Sequence, residues 1–151
     1  MMIPKSKQIL IDTNILIYAV NKDSEHHKQA RLILKKVSTG EINAVISIQN
    51  VLEFCSVLTS VKLLTKPISI KEAWNLVHDI IDSGIEIIYP NKNIIQILPE
   101  LFSKSETLGK RIYDYYLVAT MRSYNIPTIY TVNEKDFKNF KNTINVVNPF
   151  K

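Results

Sequence analysis

Ile9-Leu10-Ile11-Asp12-Thr13-Asn14 is the stretch on which the reading of this chain turns. Three aliphatic residues run into a carboxylate, then two small polar residues, then a second apolar run from Ile15 to Val20. A short, unbroken apolar run of this kind fits a strand buried on both faces, as in a parallel sheet. An acid at its last position stands at the carboxyl edge of the sheet, where open α/β folds bind their ligands. An ionised carboxylate buried there without a partner costs on the order of several kcal/mol. Asp12 therefore requires a cation, a ring of hydrogen-bond donors or a protein base.

Downstream, the pattern alternates. Asn14 to Val20 predicts a short helix, with Thr13 or Asn14 suited to its cap. Ser24 suits the cap of a second helix from Glu25 to Val37, with Ala30, Ile33, Leu34 and Val37 on one face and Gly40 at its end. Ala44 to Ile48 is a β-branched run of strand length, followed by a helix over Gln49 to Val61 that carries Glu53 among apolar neighbours. Ser69-Ile70-Lys71-Glu72 has capping-box spacing and opens a helix to Ser83. A third strand is expected over Ile85 to Tyr89, and a helix over Asn91 to Lys104 with Pro99 as a kink or break. Gly109-Lys110-Arg111 reads as a basic loop and Ile112 to Tyr124 as a helix with Asp114 in its first turn. Thr128 to Val132 is a fourth strand, Asn133 to Phe140 a lysine-bearing turn and short helix, and Asn145 to Val147 an edge strand. Alternation of this kind predicts a single α/β domain over residues 1–151, with a mostly parallel sheet of four to five strands and helices on both faces.

Composition narrows the function classes. The hydrophobic share of 46% and charged share of 22% are those of an ordinary globular protein. With 3 glycines and neither a G-x-G-x-x-G nor a P-loop pattern, glycine-rich phosphate cradles are excluded. The net charge of +5 is compatible with a polyanionic partner such as nucleic acid, and equally with lysine used for solubility. One cysteine, Cys55, allows no internal disulfide and suits a reducing cytoplasm. No apolar run reaches the length of roughly 20 residues that a membrane span needs, and Met1 to Lys7 lacks signal-peptide character. The expectation is a cytoplasmic protein without a membrane anchor.

The acids carry the chemistry. Asp12 ends one expected strand, Glu53 follows the next, and Asn133, Glu134 and Asp136 follow the fourth. In a parallel sheet these positions share one edge. Asp114 precedes a strand, but its helix must return the chain to the opposite edge and so starts on the same side. Several oxygen donors with no cysteine and little histidine suit a hard cation, Mg²⁺ or Mn²⁺ rather than zinc. Each acid also has a plainer reading: Asp12 and Asp114 as helix caps, Glu53 as a residue that reaches solvent. His26 and His27 read as structural, Ser47 lacks the partners of a nucleophile, and the tyrosines around Asp114 read as core and rim, with one able to stack on a nucleotide.

At these residues the chain resembles PIN-domain ribonucleases, and more narrowly the VapC-type toxins of toxin–antitoxin pairs. The resemblance rests on Ile11 to Ala19, on His27 with Ala30, on Ser47 to Phe54, on Tyr113 to Ala119 and on Thr131 to Phe137, in family order. It implies a PIN fold, a divalent metal and hydrolysis of RNA phosphodiesters. By position, Asp12 and Asp114 would bind Mg²⁺ most directly and Glu53 would complete the pocket. Thr13 or Asn14 would orient Asp12 or a water and stand near the RNA. Lys110, Arg111 and Lys135 are candidates for holding the RNA backbone, Arg111 alternatively forming a salt bridge within the acidic site. A small cognate antitoxin and a homodimer are further implications. Many relatives carry an aspartate where this chain has Asn133, so either Asn133 or Asp136 supplies the fourth corner.

A second class is a PIN-like RNA-binding or scaffold module with weak or no catalysis, favoured by Asn133. A phosphotransfer domain of haloacid-dehalogenase type would require an aspartate where Asn14 stands, and a receiver would require an acid pair that the sequence lacks.

Overall fold

The structure is a computed structural model and describes residues 7–151; the leading segment in which no signal peptide is expected lies, for residues 1–6, outside the described residues. The opening apolar run forms β1 (Ile9–Ile11), which is central because both its edges are paired. On one side Ile9 and Leu10 align with Ala44 and Val45 of β2 (Ala44–Ser47). On the other, Ile9, Leu10 and Ile11 align with Thr128, Ile129 and Tyr130 of β4 (Thr128–Tyr130). With β3 (Glu86–Ile88) beyond β2 and β5 (Asn145–Val147) beyond β4, the sheet order is β3-β2-β1-β4-β5, and every pairing is parallel.

Period-2 alternation divides the strand residues between two cores. Ile11, Ala44 and Ile46 face the first, which is filled by α1 (Thr13–Val20), α2 (His27–Ser38), α3 (Ile48–Leu58) and α4 (Ile70–Asp82). Leu10, Val45, Ile88 and Ile129 face the second, under α5 (Ile94–Leu101), α6 (Ile112–Ser123) and a 3-10 helix, Glu134–Phe140. The parallel sheet with helices on both faces is thus the expected α/β architecture. The chain first winds outward through β2 and β3, then returns to the other side of β1 for β4 and β5. This reversal opens a crevice at the carboxyl ends of β1 and β4.

Several boundaries differ from those read in the sequence. The cap of α1 is Asp12 rather than Thr13 or Asn14: its backbone is extended and its Oδ1 accepts from the Thr13 N–H at 2.8 Å. The second helix starts at His27, not Glu25, because Ser24 accepts from the His26 N–H and closes a local turn first. Ile48 belongs to α3, where Ser47 and Asn50 form a reciprocal capping box, and that helix stops at Leu58 rather than Val61. α5 is shorter than 91–104 and ends two residues after Pro99, whose missing N–H cannot extend the ladder. Gly109–Arg111 is a 3-10 turn rather than a loop. β4 stops at Tyr130, which frees Thr131 to turn into the crevice.

Candidate active site

The crevice at the sheet reversal is a cleft of about 520 Å³ lined by Asp12, Thr13, Asn14, Glu53, Asp114, Asn133 and Asp136, among others. Each reaches it for a local reason. Asp12 caps α1 directly after β1, and Glu53 lies in the second turn of α3, directly after β2. Asp114 stands in the first turn of α6, which runs antiparallel to the strands and so begins at their carboxyl edge. Asn133 and Asp136 stand at the start of the 3-10 helix that follows β4.

Asp12 is 8% exposed and accepts three hydrogen bonds: from the Thr13 N–H (2.8 Å), the Thr131 hydroxyl (2.8 Å) and the Asn14 side-chain amide (3.3 Å). The Thr131 hydroxyl is itself oriented, because it accepts from the Asn133 N–H (3.0 Å) and the Asn14 amide (3.2 Å). With both lone pairs used, its single proton is directed at Asp12. A second chain of bonds serves Glu53. Asn50, fully buried, accepts from the Ser47 N–H (2.9 Å) and hydroxyl (2.8 Å), which turns its amide toward Thr13 Oγ1 (3.1 Å). Thr13 Oγ1 then donates to Glu53 Oε2 (3.0 Å), and Gln49 donates to Glu53 Oε1 (3.1 Å). Gln49 also donates to the Tyr113 carbonyl (3.1 Å), tying α3 to the start of α6 beside Asp114.

Electrostatics set the four carboxylates against one another. Burial pushes the Asp12 carboxyl up to about 6, opposed by the Thr131 and Thr13 donors and assisted by the charges of Glu53 and Asp136. Burial likewise pushes Asp114 up to about 6, with Asp136, Asp12 and Glu53 adding to the rise and Arg111 opposing it. Among the described residues, none of the four is in an ion pair with lysine or arginine. Four acids sharing one cleft, none ion-paired to lysine or arginine among the described residues and only Asp114 relieved through space by Arg111, make an oxygen donor set that suits a hard cation. Among the described residues, no group of three or more His, Cys, Asp or Glu side chains is arranged to hold a metal ion by itself. The donor set is open and all oxygen, which matches a small hard cation that keeps several of its waters.

The sequence candidates sort accordingly. Thr13 and Asn14 line the cleft with their side chains engaged by Glu53, Asp12 and Thr131. Arg111 is exposed and acts on Asp114 through space, without a direct salt bridge among the described residues. Lys110 is exposed on the 3-10 turn and Lys135 lines a different groove, with Lys138 and Lys141. His27 Nδ1 lies 2.9 Å from the Tyr18 carbonyl, and His26 stacks on Phe150, so both have structural partners. Thr131, Asn50 and Gln49 are not among the candidates that the sequence singles out. The signal available is a run of small polar residues next to strand ends, which says little until the strands are ordered.

Comparison with known proteins places this geometry. The chain superimposes on VapBC2 from Rickettsia felis, solved bound to a promoter DNA fragment, at a TM-score of 0.61 and 21% identity over 93% of this chain and 97% of that one. VapBC-1 from nontypeable Haemophilus influenzae gives a TM-score of 0.61 at 17% identity, covering 95% and 99%. Mycobacterium tuberculosis VapC20, a Sarcin-Ricin loop cleaving toxin, gives 0.60 at 13%, covering 86% and 93%. At these identities the likeness is one of fold. No curated protein matches the sequence at a significant level. The PIN domain model matches residues 9–142, from the first residue of β1 to just past the 3-10 helix, and with the sheet order and the acidic cleft described above the chain belongs to the PIN domain family.

Proposed function

We propose that this protein is a Mg²⁺- or Mn²⁺-dependent endoribonuclease that hydrolyses RNA phosphodiester bonds, acting in the cytoplasm as the toxin of a toxin–antitoxin pair. The observation that carries the reading is the group of four carboxylates, Asp12, Glu53, Asp114 and Asp136, around one cleft without a cationic side chain paired to any of them among the described residues. In this reading Asp12 and Asp114 hold the cation most directly. A divalent ion there would counter the charge that develops on the phosphodiester and acidify a water. The other residues position and select. Thr131 and Asn14 orient Asp12; Thr13 and Gln49 orient Glu53. Asp136 takes the fourth corner with Asn133 beside it. Arg111 and Lys110 lie at the mouth of α6, where a phosphate backbone would pass.

A small antitoxin belongs to the same reading, supported by the likeness to VapBC structures, and a homodimer is part of the proposal. Purified protein with Mg²⁺ is expected to cleave RNA, to stop on addition of EDTA, and to be inactive as Asp12→Asn. Full activity of that variant, or cleavage indifferent to EDTA, would overturn the reading. RNA binding indifferent to EDTA and without cleavage would instead favour a non-catalytic PIN module.

A further inference from the structure

The 3-10 helix Glu134–Phe140 repeats every three residues, so residues three apart stack on one face. Its sequence sorts into three rows. Phe137 and Phe140 are buried in the second core. Asn133 and Asp136 begin the row that meets the acidic cleft. Lys135, Lys138 and Lys141 form the third row and line a shallow groove against Val146 of the edge strand β5. The one acid lining that groove, Glu134, is paired with Lys151 at 2.6 Å. Among the described residues, none of the three lysines is in an ion pair.

We infer that this lysine row is a backbone track for single-stranded RNA, carrying the strand from the catalytic cleft along the side of β5. The inference rests on the ribonuclease reading and extends it by naming the path that the substrate takes outside the cleft. The rise of a 3-10 helix sets the lysines about 6 Å apart along the row, a spacing within reach of successive phosphates of one strand. The row starts at Lys135, adjacent in sequence to Asp136 of the cleft, and runs away from it because the chain is returning to the far edge of the sheet to enter β5. The charge is not cancelled by neighbouring acids. Lysines also discourage pairing on an exposed sheet edge, but that use needs neither a three-residue repeat nor a row that begins beside a cleft residue in sequence.

The test is the salt dependence of binding. Fluorescent oligouridylate is titrated with the Asp12→Asn protein in Mg²⁺, and with the same protein carrying Lys135→Gln, Lys138→Gln and Lys141→Gln. Three phosphate contacts on a single strand predict that the slope of log Kd against log salt falls by about 2 in the row variant. A control with Lys28→Gln, Arg31→Gln and Lys35→Gln on α2 loses the same charge and is expected to keep the parent slope. An unchanged slope in the row variant, or an equal loss in the control, overturns the track. If wild-type protein nevertheless cleaves RNA, the ribonuclease reading survives that outcome; absence of both RNA binding and cleavage overturns both. Unchanged RNA binding with lost binding of polyglutamate overturns the RNA assignment in favour of an acidic protein partner.

Discussion

On the β1–α3 side of the cleft, Asp12 and Glu53 accept hydrogen bonds from Thr13, Thr131, Asn14 and Gln49. On the α6 side, Asp114 and Asp136 line the same cleft, and among the described residues neither carboxylate has a hydrogen-bond partner. The first half is locked by a network in which the Thr131 proton has one destination, Asp12, and the Thr13 hydroxyl lies closer to Glu53 (3.0 Å) than to its other acceptor, the Asn50 carbonyl (3.5 Å). The second half is held only by the helices that carry it. The difference separates two ways of placing a charge. Asp12 is buried and so has donors built around it, whereas Glu53 is exposed and its two donors fix the orientation of its side chain. Asp114 and Asp136 are placed by the backbone of their helices, and the proton affinity of Asp114 is raised first by burial and then by the neighbouring carboxylates.

The largest expected effect tests the locked half. Asp12→Asn should reduce Mg²⁺-dependent RNA cleavage by about 10³-fold or more, since electrostatic stabilisation by a bound metal amounts to several kcal/mol and each 1.36 kcal/mol is tenfold. Circular dichroism should show the fold retained. The variant should gain little stability, because its new amide N–H₂ competes with the donors already aimed at that position.

Next in size is Thr131→Val, which removes the oriented donor and leaves the Asn133 N–H and the Asn14 amide short of an acceptor. Denaturant unfolding should show a loss of about 2 kcal/mol. Because the lost bond favoured the ionised form of Asp12, Mg²⁺ affinity should also shift to higher pH. No loss of stability would mean that the lock is not energetic.

Asp114→Asn tests the open half and should have the opposite sign. The folded-state value of about 6 lies above the ordinary 3.8. Between those values the folded chain holds a proton that the unfolded chain has released, so stability of the metal-free protein falls as pH rises through the window. The variant removes that deficit. In EDTA at pH 7 it should be more stable than wild type by on the order of 1 kcal/mol after allowance for solvent screening, with the gain absent near pH 3.5. Cleavage should be lost as with Asp12→Asn. Equal stabilisation by both variants would erase the distinction between the two halves.

The smallest effect is expected for Asn133→Asp. The side chain is exposed, so stability should change by under about 0.5 kcal/mol. Cleavage should change by less than about threefold if Asp136 already fills the fourth corner, and a larger gain in single-turnover rate would assign that corner to position 133.

The parallel α/β fold was legible because its signals are local and repetitive. The apolar runs at Ile9–Ile11, Ala44–Ser47 and Thr128–Tyr130 are too short and too continuous for amphipathic helices, and helical spacing separates them. Boundaries were less legible. Ser24 and Asp12 each have a side chain that can bond more than one backbone N–H, and only the assembled turn selects which.

The sequence by itself determined that an acid ends the central strand and that other acids lie next to strand and helix ends, because an apolar run and the polar residues at its end are set by neighbours along the chain. Tertiary structure alone decided that Thr131, 119 residues away from Asp12, directs its proton there, and that Asn50 reaches Thr13 across 37 residues to set the donor for Glu53. It also decided that the three-residue period of the 3-10 helix sends Asp136 to the cleft and the lysines beside it to a different groove. Such pairings depend on strand order and helix period, and a hydrogen bond forms only where atoms distant along the chain come within about 3 Å of each other.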